Sequence, residues 1–436
     1  MIPLSLAQVE QLCPGRLEAA PGAGEVTGVQ IDSRRVDPGD LFVAVGRGAD
    51  FRREALERGA AATLLPADAF EALAALGGAV RTRSPARVVG ITGSTGKTST
   101  KDILAALCRP HARTIASEGG HNNEVGLPLT LTKIDADTEI VVAEMGMRGI
   151  GQIAALCAIA RPHIGIVTGI GPVHLELLGS VKRVAQVKAE LVGALPPGGT
   201  AIVPARAPAL DPFLDRADVE LVRFGPGGDV RLTAFEAFED GSRIEVDVGG
   251  KRLSLEFPFT ARYQAENALA ALAAYRAIDL PLDAVAAGAQ EVALSRWRGE
   301  EMPLPGGGLL INDAYNANPV SMRAALRHLG ERAGARRRVA VLGDMAELGP
   351  DGPAYHREIG RAAAESGVQA LVAIGPLARG YVEGAVGVPI VRHLNTPEQG
   401  LAELRGLLGQ GDCVLVKGSR AMGLELVAAG LSTVNA

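Results

Sequence analysis

The sequence predicts an α/β protein of three domains, and three observations carry that expectation. The chain has 436 residues, more than one hydrophobic core usually serves, since cores stop growing at roughly 250 to 300 residues. Short apolar runs of strand type alternate with helical stretches through most of its length, the pattern of a parallel sheet covered on both faces. Proline and glycine punctuation then divides the alternation twice.

The first break, Thr82-Arg83-Ser84-Pro85, precedes the apolar strand Arg87-Val88-Val89-Gly90-Ile91, which makes residues 1–85 a small N-terminal α/β domain. Residues 86–305 follow as a central parallel-sheet domain, with strands such as Ile140-Val141-Val142-Ala143 and Ile164-Gly165-Ile166-Val167. Within it, Val230 to Pro258 alternates apolar and polar positions around Asp240-Gly241 and Gly249-Gly250, two hairpin signals. A small antiparallel sheet is expected to be added there. The stretch Pro303-Leu304-Pro305-Gly306-Gly307-Gly308 reads as a linker and a hinge between the last two domains. Beyond it, Leu309-Leu310-Ile311, Val339-Ala340-Val341-Leu342, Ala370-Leu371-Val372-Ala373-Ile374 and Val414-Leu415-Val416 resume the alternation, so residues 306–436 are expected to form a C-terminal Rossmann-like domain.

Composition excludes several classes of function. Hydrophobic residues make up 47% and charged residues 21%, which is ordinary globular usage rather than disorder. Aromatics are only 3%, the net charge is -5, and the densest basic run is Arg336-Arg337-Arg338. Neither a stacking surface nor a basic stripe for nucleic acid is present. Cys13, Cys108, Cys157 and Cys413 show no paired spacing, so neither a zinc site nor a disulfide framework is expected. No apolar run approaches the ~20 residues of a membrane helix, and Met1 to Leu6 is not the start of a signal peptide. A cytoplasmic location with no membrane span is expected.

Thr92-Gly93-Ser94-Thr95-Gly96-Lys97-Thr98 closes the first central strand and opens a helix. Backbone N–H groups, a helix N-terminus and a lysine then converge on one anion, so ATP phosphates are expected at Gly93, Ser94, Thr95, Gly96, Lys97 and Thr98. Lys97 should reach the β/γ-phosphates, and the Thr98 hydroxyl should face Mg²⁺. The loop is a variant: five residues separate Gly90 from Gly96 and two separate Gly93 from Gly96, where the usual pattern has four.

Three further side chains carry open readings. Glu144 ends an apolar strand, as a metal-binding carboxylate does in phosphate-loop enzymes, or else is solvated or caps the helix starting near Ile150. His174 follows a third strand, at the carboxyl edge where ligands bind open α/β sheets, although alone it reads as structural. Lys188, in the helical stretch Val181 to Leu195, reads by periodicity as a solvated surface lysine.

Together these segments resemble the Mur ligases of peptidoglycan synthesis over nearly the whole chain. The resemblance is carried by Ile31-Asp32-Ser33-Arg34 with Pro38-Gly39-Asp40-Leu41-Phe42, the phosphate loop, His121-Asn122-Asn123-Glu124-Val125-Gly126-Leu127-Pro128, Glu144-Met145-Gly146, the His174 segment and Lys188-Ala189-Glu190. Further along come Asn312-Asp313-Ala314-Tyr315-Asn316-Ala317-Asn318-Pro319, Gly343-Asp344-Met345-Ala346-Glu347-Leu348-Gly349 and Val416-Lys417-Gly418-Ser419-Arg420. The phosphate loop marks only the superfamily; the Tyr-Asn-Ala-Asn-Pro and Gly-Asp-Met-x-Glu-Leu-Gly stretches are more specific.

The resemblance implies an ATP-dependent ligase, expected as a monomer, whose partners are UDP-N-acetylmuramoyl-tripeptide and D-alanyl-D-alanine, joined through an acyl phosphate. It implies two Mg²⁺ ions, held by Thr98, Glu144, His174 and a carbamylated Lys188, which with Lys97 form the catalytic set. It places Asn267 near adenine and Arg298 and Asp313 on phosphate and ribose. Ser33 and Arg34 would face the uridine end and Asn122 and Asn123 the peptide, since amides bridge peptide donors and acceptors. Tyr315, Asn316 and Asn318 would serve the dipeptide or the nucleotide. The chain departs from the family at Asp50-Phe51-Arg52, where Asp-Gly-His is common, and at Tyr263, where a histidine is frequent. Rival readings are a sister ligase adding the third amino acid, a phosphate-loop NTPase, and a scaffold without catalysis; no Asp-Asn-Pro-Arg acceptor motif of the sister enzymes appears.

Overall fold

In the computed structural model, which describes residues 1–432, the strand Arg87–Thr92 lies inside a nine-stranded sheet, between Ile164–Val167 and Ile140–Glu144. Both neighbours run parallel to it, with Val167 opposite Thr92 and Glu144 opposite Ile91. The strand is buried on both faces, which explains its unbroken apolar run. Because the three strands end level, the phosphate loop, Glu144 and the segment leading to His174 leave the sheet at one edge.

One face of this sheet is covered by the phosphate-loop helix Lys97–Cys108 and the alanine-rich helix Arg262–Ala277. Ile103, Leu104 and Leu107 share a core with Ala265, Ala268, Leu269 and Leu272. The hairpins fall where the turn residues place them, between Val230–Ala237, Ser242–Val248 and Lys251–Phe257. They do not form a detached sheet: Val230 pairs in parallel with Phe224, so the antiparallel strands continue the central sheet at its edge.

The N-terminal four-stranded sheet has the order Gly15–Ala19, Ala62–Pro66, Asp40–Val43, Gly28–Gln30. Its helix Ala69–Thr82 buries Leu73, Leu76 and Val80 in the same cluster as Leu127, Ile153 and Leu156 of the central unit. Gly77 permits that approach, since a Cβ there would lie 2.9 Å from Pro128 Cα.

The C-terminal sheet has the order Glu300–Leu304, Gly308–Asp313, Cys413–Lys417, Arg338–Gly343, Ala370–Ile374, Ile390–Leu394, parallel except for the first strand. Here the hinge expectation is corrected. Glu300–Leu304 pairs with Gly308–Asp313, Leu304 facing Gly308, so Pro305–Gly307 is the turn of a hairpin inside one sheet. Gly306 and Gly307 both have positive φ, which a tight turn needs and a linker does not. The carboxyl ends of the adjacent strands Gly308–Asp313 and Cys413–Lys417 bring Asp313 and Lys417 side by side.

Leu104 is fully buried between the phosphate-loop helix and its neighbours. Leu104→Ala is expected to remove about 2–5 kcal/mol of stability, read as a lower denaturant midpoint. An unchanged midpoint would show that the helix is not anchored by this contact.

Candidate active site

The phosphate loop depends on two glycines. Gly93 has φ +150°, and a Cβ there would lie 2.0 Å from Thr168 Oγ1; Gly96 has φ +79°, and its Cβ would lie 2.3 Å from Asn267 Oδ1. The Ser94 hydroxyl donates to Gly171 O at 3.1 Å and accepts from Gly171 N at 3.0 Å, which ties the loop to the segment carrying His174. Gly96 offers no side-chain cap to the helix Lys97–Cys108, so first-turn N–H groups stay open to an anion. Lys97 folds back to donate to Gly93 O at 2.9 Å. Burial lowers its amine below the usual lysine value, with the Arg298 charge adding to the fall and Glu144 opposing it.

Glu144 is 1% exposed. Its Oε1 accepts from Asn122 Nδ2 at 2.8 Å, while the buried Oε2 has no hydrogen-bond partner among the described residues. A buried carboxylate oxygen without a donor is costly unless a cation satisfies it. The solvated reading of Glu144 is therefore wrong, and so is the capping one, because Gly151 is the cap of the helix Gln152–Ala160. The Thr98 hydroxyl accepts from Arg298 Nη2 at 2.8 Å, and the Arg298 guanidinium lies 3.8 Å over the Tyr315 ring.

Lys188 is not a surface residue: it is 2% exposed and has no hydrogen bond or ion pair among the described residues. The helix Val181–Gly193 is packed on two sides, with Val184, Val187 and Leu191 in one core and Ala185, Ala189 and Val192 in another. Burial, helped by the nearby Lys97 charge, pushes the Lys188 amine well below the usual lysine value. His174 has φ +52°, and its Nδ1 is bonded to Glu347 Oε2 from the C-terminal unit. Burial lowers its pKa below the ordinary imidazole value, against the opposing effect of Glu347.

From the C-terminal sheet, Lys417 Nζ lies 2.5 Å from Asp313 Oδ2 and 2.9 Å from Asn316 O. Asn318 caps the helix Pro319–Ala333 by accepting from Ser321 N, and its Nδ2 reaches Ser94 O at 3.5 Å. Asn267 Nδ2 donates to Gln264 Oε1 at 2.8 Å, and Gln264 Nε2 to Arg298 O at 3.2 Å.

One cleft of about 970 Å³ gathers most of these residues, from the phosphate loop and Glu144 to His174, Lys188, Asn267, Arg298, Asp313, Tyr315, Asn316 and Asn318. Asn122 and Asn123 also line it; Asn123 Oδ1 accepts from Gly126 N at 3.0 Å and so shapes the turn there. Ser33 and Arg34 do not line the cleft. Ser33 Oγ donates to Glu54 Oε2 at 3.2 Å, and Arg34 makes a two-pronged pair with Asp32 at 2.9 and 2.8 Å. Sequence reasoning assigned no role to Glu347, Lys417 or Gln264. The first two lie within the motifs that carry the resemblance, but their partners come from distant parts of the chain.

Residues 91–275 match the Mur ligase middle domain and residues 297–420 the Mur ligase, glutamate ligase domain. The UDP-N-acetylmuramoyl-tripeptide–D-alanyl-D-alanine ligase of Escherichia coli (strain K12) is 32% identical over 99% of both chains. Among solved structures, MurF from Acinetobacter baumannii aligns over 99% of both chains with a TM-score of 0.86 at 27% identity. MurF ligase from Thermotoga maritima in complex with ADP aligns over 93% of this chain and 97% of that one, with a TM-score of 0.80 at 27% identity. With likeness of sequence and fold running from end to end, the chain belongs to the UDP-N-acetylmuramoyl-tripeptide–D-alanyl-D-alanine ligase family of Mur ligases.

Proposed function

We infer that this cleft joins D-alanyl-D-alanine to UDP-N-acetylmuramoyl-tripeptide at the expense of ATP, giving the UDP-linked pentapeptide of peptidoglycan synthesis. The observation that supports this reading best is the meeting, in one cleft, of a phosphate loop and, among the described residues, a buried carboxylate oxygen without a donor and a buried lysine without a hydrogen bond.

A terminal carboxylate oxygen of the tripeptide attacks the γ-phosphorus, a new P–O bond forms and ADP leaves. The dipeptide's free amine attacks the acyl carbon; the C–N bond forms, the C–O bond breaks, phosphate departs and the nitrogen gives up a proton to water or to the leaving phosphate. The first step brings two anions together, so positive charge has to be fixed in place beforehand. In our reading Lys97 supplies it at the β/γ-phosphates with the open N–H groups of the helix start, and Arg298 turns from Thr98 onto the phosphates. The donor set fits magnesium: Thr98 and Glu144 would hold one ion, His174 and Lys188 would face a second, and the metal would supply charge neutralisation between carboxylate and γ-phosphate.

Lys188 fits that part only in a modified form. An ammonium would repel a cation, but a lysine whose pKa is lowered well below the usual value can present a free amine, whose nitrogen adds to the carbon of carbon dioxide. The N–C bond forms, a proton leaves, and a carbamate oxygen faces the cleft. We assign Asn267 to the purine, Asp313 to the ribose, Asn122, Asn123, Tyr315 and Asn316 to the peptide substrates, and Ser33 and Arg34 to the uridine end. Asn318 fits better as the cap that holds its helix against Ser94 O than as a direct substrate contact. A cytoplasmic setting belongs to the same reading: all four cysteines are free and buried, and no helix among the described residues is long and apolar enough to cross a membrane.

Phosphate release from Mg·ATP and UDP-linked tripeptide is expected only when D-alanyl-D-alanine is added, with pentapeptide formed in step; release without an amine would point to an NTPase. Lys97→Ala and Glu144→Gln are each expected to lower that rate by about 10²–10³-fold, and chelation by EDTA to abolish it. A wild-type rate in Glu144→Gln would remove the carboxylate from the metal site. Lys188→Ala is expected to be inactive and to recover in part with bicarbonate or short carboxylic acids, whereas full activity without them would rule out the carbamate.

A further inference from the structure

His174 is one of five non-glycine residues with positive φ among the described residues, and Glu347, at φ +62°, is another. The two face one another across the junction of the central and C-terminal units. Backbone held in the left-handed region by residues other than glycine is strained and persists where its surroundings fix it. Around Glu347 those surroundings are hydrogen bonds. The Asp344 carboxylate accepts from Ala378 N at 2.6 Å and Leu377 N at 3.2 Å. Met345 N donates to His356 Nε2 at 2.9 Å, and Ala346 N to Ser419 Oγ at 2.9 Å. These bonds pin the loop, and its half-buried acid Glu347 is delivered to a fixed place.

That place is His174. The Glu347 carboxylate binds His174 Nδ1, and the Glu347 carbonyl accepts from Glu176 N at 3.3 Å, so loop and turn are joined by side chain and backbone together. Gly349 fits closely against the same turn, where a Cβ would lie 3.3 Å from Glu176 Cα. A carboxylate is an acceptor, so the partner nitrogen carries the proton and the other ring nitrogen is left with its lone pair. His174 lines the cleft, and Nε2 has no protein partner among the described residues.

We propose that Glu347 is a positioning residue that holds His174 as its Nδ1–H tautomer and presents Nε2 to the cleft as an acceptor. Because Glu347 belongs to the C-terminal unit, the acceptor is set only while that unit is docked. The functional consequence rests on the reading above that His174 faces a metal ion: carboxylate partners of this kind orient a metal-binding histidine and raise its basicity.

The test is ¹⁵N NMR of imidazole-labelled, metal-free enzyme, a readout that a purely mechanical interdomain contact would not move. The wild type is expected to show His174 protonated on Nδ1, and both Glu347→Ala and the near-isosteric Glu347→Gln to shift it toward the Nε2–H form. A wild-type ring protonated on Nε2, or a tautomer indifferent to both substitutions, overturns the proposal. Mn²⁺ affinity, measured by EPR with a non-hydrolysable ATP analogue, separates the two readings. Glu347→Gln should weaken it about 10–100-fold with melting temperature retained, and His174→Ala should weaken it further. Unchanged affinity in His174→Ala, with the tautomer result as expected, would remove the metal from His174 and leave Glu347 as the group that sets its ring.

Discussion

The arrangement of this molecule follows from one constraint. A helix start can hold a phosphate only if its first N–H groups stay open to the ligand. Gly96, lacking a side chain to cap the helix, leaves them open, and Arg87–Thr92, an inner strand buried on both faces, fixes where that helix begins. Parallel pairing then decides what else stands at that edge. With Val167 opposite Thr92 and Glu144 opposite Ile91, the carboxylate and the His174 segment have to emerge beside the loop. The site is a consequence of register before it is a consequence of side-chain chemistry.

Charge is distributed around that edge unevenly. Lys97, Arg298 and Lys417 line the cleft with the buried acids Glu144 and Asp313, and Arg148, Arg206, Glu124 and Glu266 line it as well. Asp313 is matched by Lys417, which it holds at 2.5 Å, and that leaves Lys97 and Arg298 facing the one buried Glu144 carboxylate. Such a surplus suits polyanionic substrates, whose phosphates and carboxylates complete the local balance. Buried groups left unpaired among the described residues, Glu144 Oε2 and Arg298 Nε, are costly to folding and are tolerated where function uses them.

What could be read in the sequence was what is local. The phosphate loop, the hairpin turns at Asp240-Gly241 and Gly249-Gly250 and the strands ending at Glu144 and Val167 each depend on neighbours a few residues away. Periodicity alone puts Lys188 on the surface because it assumes one buried face, and Val181–Gly193 has two. Pro303 to Gly308 was misread because a linker and a tight hairpin ask for the same residues; only the pairing of Leu304 with Gly308 distinguishes them. Glu347 and Lys417 were legible as members of motifs but not as participants, since His174 and Asp313 lie 173 and 104 residues from them. Ser33 and Arg34 lie on a 3₁₀ turn of the N-terminal unit, and their side-chain hydrogen bonds stay within that unit.

Three of the bonds that join the C-terminal side to the central unit fall on residues of the cleft. Arg298 donates to the Thr98 hydroxyl, Asn318 reaches Ser94 O, and Glu347 holds His174 Nδ1. Each of these central residues is assigned to nucleotide or metal. In the proposed reading Arg298 turns onto the phosphates, so nucleotide binding would exchange its bond to Thr98 for one to phosphate. The His174 bond needs no such exchange, because Nδ1 and Nε2 point to opposite sides of the ring. Binding is therefore expected to rearrange one junction contact while leaving another in place, and docking of the C-terminal unit becomes a condition of assembling the site rather than a response to its being filled.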